Sequence, residues 1–167
     1  VCVIRDVGPL KALIQQLEDA TNKLTEQAIT DPLTGVYNRR YMNSRLYEEF
    51  AGTRRHHIPL SLIMLDLDRF KMVNDQRGHD VGDRVLQEVA SILGKGFRAS
   101  DVVTRYGGDE FLILMPHTAA EQAFDVAERI RASIEYSDLM AEMGVTASIG
   151  VLTYDGTQSV EEAETLV

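Results

Sequence analysis

A glycine pair at positions 107–108 is the feature that most restricts what this chain can fold into. It stands between two apolar runs, residues 102–106 (VVTRY) and residues 111–115 (FLILM), and a proline closes the second run. Glycine reaches positive φ without a Cβ clash, so the pattern predicts two antiparallel strands joined by a tight hairpin. Two adjacent carboxylates, Asp109 and Glu110, would lie at the turn, where the bare glycine backbone leaves room for a bulky anion.

A second apolar run, residues 60–65 (LSLIML), predicts a strand that is buried on both faces at the centre of an α/β layer. It ends in Asp66, Leu67 and Asp68. Side chains two residues apart share a face of a strand, so the two aspartates project to one side if the strand continues through them. Asp66, the carbonyl of Leu67 and Asp109 could together bind a hard divalent cation. By spacing alone, unrelated acids at strand ends explain the same pattern better.

Leucines recur every seven residues near the N-terminus, at positions 10, 17 and 24, with Leu13 and Ala20 at the intervening d-type positions. This spacing predicts a coiled-coil-like helix over residues 9–29 and favours a parallel dimer stalk. An ordinary amphipathic helix packed on its own domain would show a similar pattern. Residues 1–8 (VCVIRDVG) indicate a short strand that ends in a turn, the remnant of a preceding domain, and they resemble the end of a PAS-type sensor domain.

The rest of the chain alternates helix and strand signals. Asn38 is a predicted N-cap for a helix through Ala51, which Gly52 would end before a solvated basic loop over residues 54–57. Asp80 would cap the next helix. A helix ending at residues 94–96, a capping box at residues 118–121, a strand over residues 144–154 and a last helix from residue 160 complete the order. This order predicts an α/β fold with a central, mostly antiparallel sheet flanked by helices.

The composition excludes several classes of protein. Acidic residues outnumber basic ones by 26 to 17, a net charge of −9, so the chain lacks the basic surface of a nucleic-acid binder. A polyphosphate ligand would have to be attracted locally, by metal ions or by a few Lys and Arg. The lone Cys2 excludes an internal disulfide and fits a reducing cytoplasm. No apolar run is long enough to span a bilayer, so we expect a soluble, cytoplasmic chain without direct membrane contact, although its parent could be membrane-anchored.

Five short motifs follow one another along the chain. They are residues 31–40 (DPLTGVYNRR), 65–71 (LDLDRFK), 74–75 (ND), 78–83 (GHDVGD) and 105–111 (RYGGDEF). Together they resemble the GGDEF family of diguanylate cyclases over roughly residues 30–153, enough for one domain. The resemblance implies a fold similar to nucleotidyl cyclases and polymerase palm domains, preceded by the coiled-coil-like helix. It also implies that residues 30–167 are the GGDEF domain without its usual C-terminal helix, whose Lys and Arg hold the triphosphate.

The resemblance also implies a role for each motif. Asp66, Leu67 and Asp109 would hold metal, and Asp109 and Glu110 would be the catalytic residues. The implied substrate-binding residues are Asn74, His79, Asp83, Arg69, Phe70, Lys71, Gly107 and Gly108. Two Mg²⁺ or Mn²⁺ ions per half-site would serve in-line phosphoryl transfer.

Within this set the residue types suit their implied partners. Asn74 and Asp83 would recognise guanine, because a carboxylate accepts from its N1–H and exocyclic amine and an amide serves N3 or O6. His79 would line the same pocket. Lys71, with the amides of Arg69 and Phe70, would meet phosphate. Without the family, Asp83 is better explained as an acid that stabilises a helix dipole, and Lys71 as a solvated surface charge.

Arg98 and Asp101 form an Arg-x-x-Asp sequence, and five residues separate Asp101 from Gly107. Such a pair is usually a surface ion pair that contributes little. This spacing between the Arg-x-x-Asp sequence and the hairpin nevertheless resembles that of the inhibitory product site of the family. The resemblance implies that Arg129, on the following helix, would be a secondary arginine of that site. Arginine suits such a site because its planar guanidinium pairs with guanine edges or phosphate and stacks on bases.

The resemblance implies an enzyme that condenses two GTP into cyclic di-GMP and two pyrophosphates. Each subunit of a homodimer would present one GTP in a half-site, and the product would inhibit the reaction. Two other functions stay open: an inactive module that senses cyclic di-GMP or GTP, and a structural dimerisation domain. The intact Asp66, Asp109 and Glu110 argue against a pure sensor, and a dimerisation domain explains the leucines but none of the acids.

Overall fold

The computed structural model describes residues 8–157, apart from the side chains of residues 8–10, 12 and 22. The strand expected over residues 1–8 lies outside the described residues except for Gly8, which begins the first helix. The helix expected from residue 160 lies outside them as well. Within the described part, none of the helices combines the length and the apolar character that crossing a membrane requires.

The described residues form helices on both sides of one five-stranded sheet. In chain order the elements are α1 (Gly8–Ile29), β1 (Tyr37–Asn38), α2 (Arg39–His56), β2 (Leu60–Asp68), α3 (Phe70–Arg77), α4 (His79–Gly94), β3 (Val102–Arg105), β4 (Glu110–Pro116), α5 (Ala120–Glu135), α6 (Asp138–Met143) and β5 (Thr146–Tyr154). The strand order is β1-β3-β4-β2-β5. The pair β1–β3 is parallel and the other three pairs are antiparallel. The predicted α/β fold with a mostly antiparallel sheet is therefore confirmed.

The predicted central strand is β2, which lies between β4 and β5. Its alternate side chains enter two separate apolar cores. Leu65 belongs to the core beneath α4 and α5, whereas Leu62 belongs to a smaller core that contains Met42 of α2. Helices thus cover both faces of the strand. This explains why its sequence is almost continuously apolar and lacks the alternation of a half-exposed strand.

Helix α2 is longer than predicted. Its N-cap is Asn38, as expected, because the side-chain Oδ1 accepts from the backbone N–H of Tyr41 at 3.1 Å. The helix continues through Gly52, however, and residues 54–56 form its last turn rather than a basic loop. It ends at His56, and His57, with a φ of 53°, is its C-cap. One glycine costs about 1 kcal/mol in a helix, too little to end one whose other residues pack on the sheet.

The starts of two other helices also differ from the prediction. A short helix, α3, precedes α4, and Gly78 stands between them as the cap while Asp80 lies within the first turn of α4. At α5 the N-cap is Ala119, not Thr118, whose hydroxyl donates to the carbonyl of Pro116. One of the two hydrogen bonds of a capping box is present, one residue later than predicted. The Ala119 N–H donates to the side-chain oxygen of Gln122 at 3.3 Å.

The described leucine side chains of helix α1 are exposed at the surface. Leu13, Leu17 and Leu24 are 53%, 60% and 67% exposed, so the seam does not pack on the domain of the same chain. The C-terminal end of the helix is nevertheless attached. The side-chain amide of Asn38 donates to the carbonyls of Ala28 and Thr30 at 2.9 and 3.2 Å, which ties the end of α1 to the start of α2.

Candidate active site

The two acid-bearing segments meet at one end of the sheet. Asp66 lies directly opposite Glu110 in the ladder between β2 and β4, so their side chains leave the sheet on the same face. One residue further along, the N–H of Leu67 donates to the carbonyl of Asp109 at 3.3 Å. The structure therefore brings together four residues that the sequence distributes over two motifs.

The electrostatics at this strand end are those of crowded carboxylates. Partial desolvation, followed by the negative charges of Asp109 and Asp68, raises the pKa of Asp66. A nearby cation would reduce the repulsion between these carboxylates and so favour their ionised forms. The arrangement is thus suited to attract positive charge in a chain whose net charge is −9.

Asp68 has a different role from its neighbour Asp66, although both belong to the same face of β2 as predicted. The hydroxyls of Thr146 and Ser148 on β5 donate to its two carboxylate oxygens, each at 2.7 Å. These hydrogen bonds, from Thr146 first, lower the pKa of Asp68. Asp68 therefore fastens the end of β2 to the start of β5.

The hairpin turn differs from the prediction at its glycines. β3 ends at Arg105 and β4 begins at Glu110, so residues 106–109 form the connection. Neither glycine has a positive φ, because a connection of this length does not need the special conformations of a two-residue loop. Gly107 provides space instead, since a Cβ there would overlap Oε2 of Glu110. A Cβ on Gly108 would meet nothing within 4 Å, so that side of the turn is open.

The side chain of Arg105 binds both this turn and the turn that follows α1. Its Nε and Nη2 donate to the carbonyl of Gly108 at 3.1 and 2.8 Å, and its Nη1 lies 3.3 Å from Oδ1 of Asp31. Burial alone would raise the pKa of Asp31, but hydrogen bonds from Thr34 and the nearby Arg105 guanidinium outweigh burial and lower it. The turn that follows α1 is thereby joined to the turn that carries Asp109.

The expected phosphate-binding residues lie at the N-terminus of α3. Arg69 precedes the helix with a φ of 64°, and its carbonyl accepts from the N–H groups of Met72 and Val73 at 2.9 and 3.3 Å. A positive φ is uncommon outside glycine and clusters at functional sites. The first N–H groups of a helix, here those of Phe70 and Lys71, have no acceptor within it. They form an end that favours anions.

Asn74, His79 and Asp83 lie on two adjoining helices. α3 and α4 meet at Gly78, whose φ of 86° and ψ of 162° are accessible almost only to glycine. The half-buried Asn74 amide lies against Gly82 of α4. His79 lies three residues before Gly82 and four before Asp83, so it is a neighbour of both on the surface of that helix. Three polar side chains therefore border one surface at the junction of α3 and α4.

A cation at the strand end would have few protein ligands. Between residues 8 and 157, no three or more His, Cys, Asp and Glu side chains are grouped so that they could hold a metal ion. The donors at this strand end include the carboxylates of Asp66 and Asp109 and the carbonyl of Leu67. All are oxygens, which fits a hard divalent cation that takes its remaining ligands from phosphate and water.

The family of the chain follows from comparison with known sequences. Residues 28–167 match the family described as "Diguanylate cyclase, GGDEF domain". The chain belongs to the GGDEF family. The resemblance drawn from the five motifs is thereby confirmed for this domain.

Curated relatives of this GGDEF domain are much longer than the chain. The response regulator PleD of Caulobacter vibrioides is 43% identical over 143 residues, which are 83% of this chain and 32% of PleD. The diguanylate cyclase DgcM of Escherichia coli K12 is 35% identical over 97% of this chain and 38% of DgcM. The chain thus spans about a third of the length of these relatives.

A solved structure supports the fold of this GGDEF domain together with α1. The crystal structure of the coiled coil and GGDEF domain of DgcB from Caulobacter crescentus, in complex with c-di-GMP, superposes with a TM-score of 0.83. The two sequences are 27% identical, and the match covers 95% of this chain and 86% of the other. The match covers nearly the whole of this chain, so it includes α1.

The Arg-x-x-Asp segment of this GGDEF domain is a closed turn on the surface. Oδ2 of Asp101 accepts from the backbone N–H of Arg98 at 2.8 Å, and the Asp101 N–H donates to the Arg98 carbonyl at 3.0 Å. The Asp101 carboxylate therefore bonds to backbone, while the Arg98 side chain is exposed. Arg129 on α5 contacts the chain just before this segment, because its Nη2 donates to the carbonyl of Gly96 at 3.4 Å.

Sequence reasoning missed the residues that support the site. Asp31 begins the first of the five motifs and Arg105 begins the last, and their opposite charges were the available signal. Nothing in the sequence paired Asp68 with the β5 hydroxyls, because that contact depends on the register between β2 and β5.

Proposed function

We propose that this GGDEF domain is the half-site of a diguanylate cyclase, which condenses two GTP into cyclic di-GMP and two pyrophosphates. The observation that carries the proposal is that Asp66, whose pKa is raised by desolvation and then by the negative charge of Asp109, lies near that carboxylate at the strand end that leads into α3. Oxygen ligands for a cation and an anion-binding helix end are the two features that transfer of a nucleotide phosphate requires. The relative DgcM bears the name diguanylate cyclase.

The triphosphate would lie between the hairpin and α3. Asp66, Asp109 and the Leu67 carbonyl would hold Mg²⁺ or Mn²⁺, two ions per half-site. When bound, such ions neutralise the triphosphate and lower the pKa of a coordinated hydroxyl. The backbone amides of Phe70 and of its neighbours 69 and 71 would cradle phosphate oxygens, and the exposed Lys71 would add a positive charge. The open face of Gly108 leaves room for the phosphates beside the turn.

The guanine base would lie at the junction of α3 and α4. Asp83 would accept from the N1–H and the exocyclic amine of guanine, and the Asn74 amide would serve N3 or O6. His79 lies one helical turn before Asp83 and would line the same pocket. Adenine lacks the N1–H and carries an amine in place of O6, so this set would reject ATP by leaving polar groups unpaired.

The reaction joins the two nucleotides twice. The 3′-oxygen of one GTP would attack the α-phosphorus of the other, forming one O–P bond while the bond to pyrophosphate breaks. The hydroxyl proton would pass to Asp109 as the candidate base, with Glu110 orienting the hydroxyl. The second attack, from the other half-site, closes the ring. Each domain offers one guanine pocket, so two domains must face each other.

Helix α1 would control how the two domains meet. Its exposed Leu13, Leu17 and Leu24 form an apolar seam that a second copy of the chain could cover as a parallel coiled coil. An isolated coil of this length is marginal, so its pairing could respond to an upstream signal. Since GTP is an intracellular nucleotide, we place the domain in the cytoplasm.

Product inhibition is the regulatory part of the proposal. The exposed Arg98, the Asp101 turn and Arg129 border one surface patch between α4 and β3. The two guanidinium groups could pair with the guanine edges or phosphates of cyclic di-GMP. This patch lies on a different loop from the acids, so product binding and catalysis should be separable by mutation.

The test is incubation of the chain with GTP and Mg²⁺, with cyclic di-GMP measured by chromatography. We expect product from the wild type and from Asp125→Ala, a matched control on the exposed face of α5, and none from Asp109→Ala. EDTA should abolish synthesis. If the wild type makes no product and selects no guanine nucleotide but binds added cyclic di-GMP tightly, the domain is a sensing module instead.

A further inference from the structure

Gly82 is an unexpected residue at its place in the fold. It lies in the first turns of α4, is buried, and has a helical backbone that any residue could adopt. Glycine is among the least favourable residues within a helix because it loses the most backbone entropy. A glycine at such a place needs a reason other than its φ angle.

The reason is a side chain of the neighbouring helix. A Cβ on residue 82 would overlap Oδ1 of Asn74 and lie 3.0 Å from its Cγ and 3.3 Å from Cζ of Phe70. Phe70 is 8% exposed and packs in the apolar core beneath α4 and α5. The Asn74 amide is the free end of a flexible side chain, so it would be the group to move.

We propose that Gly82 is a positioning residue for nucleotide selectivity, because its missing side chain lets the Asn74 amide lie against α4 beside Asp83. The inference rests on the proposed function, in which Asn74 and Asp83 recognise guanine together. A methyl group at residue 82 would turn the amide out of the pocket while leaving the charge and backbone of Asp83 in place. The Phe70 ring would have to yield by a few tenths of an ångström, a cost that the better helix propensity of alanine offsets in part.

The chain offers a matched control for this substitution. Gly52 is also a helical glycine, in α2, and a Cβ there would meet nothing within 4 Å. Gly82→Ala and Gly52→Ala therefore make the same chemical change in the same secondary structure. They differ in whether the new methyl group meets the Asn74 side chain.

The experiment compares binding of GTP and ATP, with Mg²⁺, to the full chain and its variants. We expect Gly82→Ala to weaken GTP binding about tenfold or more and to lose most of the preference over ATP. Its melting temperature should stay within a few degrees of the wild-type value, and Gly52→Ala should bind as the wild type does. In an Asn74→Ala background the further change Gly82→Ala should alter GTP affinity less than about twofold, because the coupled partner is absent.

A nucleotide-free readout separates this inference from the proposed function. The side-chain NH₂ signals of Asn74 in a ¹H–¹⁵N spectrum, assigned by their absence in Asn74→Ala, should shift in Gly82→Ala and stay in Gly52→Ala. Unchanged Asn74 signals, or an equal loss of GTP affinity in the Asn74→Ala background, would overturn the inference. A wild type without guanine preference would refute the proposed base recognition, while the Asn74 signals still decide the contact.

Discussion

Arg105 and Asp31 form an ion pair at 3.3 Å although they are 74 positions apart in the sequence. Their side chains are 18% and 19% exposed, so solvent screens the pair less than a surface ion pair. The same guanidinium donates twice to the carbonyl of Gly108, next to Asp109. The turn after α1 is therefore connected to the hairpin that carries Asp109 through a single side chain.

Replacing Arg105 should impair catalysis more than binding. In Arg105→Gln the Gly108 carbonyl loses its two charged donors, so the hairpin would hold Asp109 less accurately. We expect kcat for cyclic di-GMP synthesis to fall about 10- to 100-fold, with a smaller change in KM. The measurement is steady-state kinetics with GTP. Arg131→Gln is the matched control, because the Arg131 guanidinium is likewise held by its neighbours, in ion pairs with Glu128 and Glu135, but on the exposed face of α5. Equal kinetics of the two variants would contradict the prediction.

The Asp31 carboxylate should make the stability of the domain depend on acidic pH. Its folded-state pKa is lowered from the ordinary value of 3.8, so its ionised form stabilises the fold above that pH. The contribution is lost as pH falls through the lower folded value. We expect Asp31→Asn to cost about 1 kcal/mol near pH 7 and progressively less in acid.

Urea unfolding of both proteins over a series of pH values measures this difference. A ¹³C titration of the Asp31 carboxyl group gives its folded pKa directly. A titration midpoint at or above the ordinary value would contradict the assignment.

Asp66 and Asp68 should respond oppositely to removal of their charge. The pKa of Asp66 is raised, so its ionised form destabilises the fold at neutral pH, and Asp66→Asn should leave the melting temperature unchanged or higher. It should nevertheless abolish synthesis through loss of the cation site. The pKa of Asp68 is lowered by Thr146 and Ser148, so Asp68→Asn should lower the melting temperature.

Calorimetry without divalent ions, paired with a product assay, distinguishes the two aspartates. A lower melting temperature for Asp66→Asn than for Asp68→Asn would show that the roles are reversed.

Synthesis and product binding should separate by mutation. Asp109→Ala should abolish synthesis, a loss of at least a hundredfold, and leave cyclic di-GMP affinity intact because the product patch lies on another loop. Arg98→Ala should do the reverse and relieve inhibition while synthesis continues. Calorimetric titration with cyclic di-GMP and initial rates at increasing product concentration measure both effects. Unchanged affinity of Arg98→Ala for cyclic di-GMP would contradict the predicted product site.

Much of the fold could be predicted because it depends on local patterns. The apolar run of β2 and the runs on either side of the glycine pair indicated strands, and the spacing of leucines indicated α1. The errors lie at element ends. α2 passed through Gly52, because packing on the sheet outweighs a local propensity of about 1 kcal/mol. A further helix, α3, formed over residues 70–77, where none was predicted.

The candidate site divides in the same way. The sequence by itself determined which residue types are present and in what order. The acids at the strand ends, the predicted guanine-binding residues Asn74 and Asp83, and the Arg-x-x-Asp segment could therefore be named in advance. Tertiary structure alone decided which of them meet. The register of β2 against β4 sets Asp66 opposite Glu110. The crossing of α3 and α4 sets Asn74 against Gly82. Such contacts join distant parts of the chain, and no local preference of the backbone encodes them.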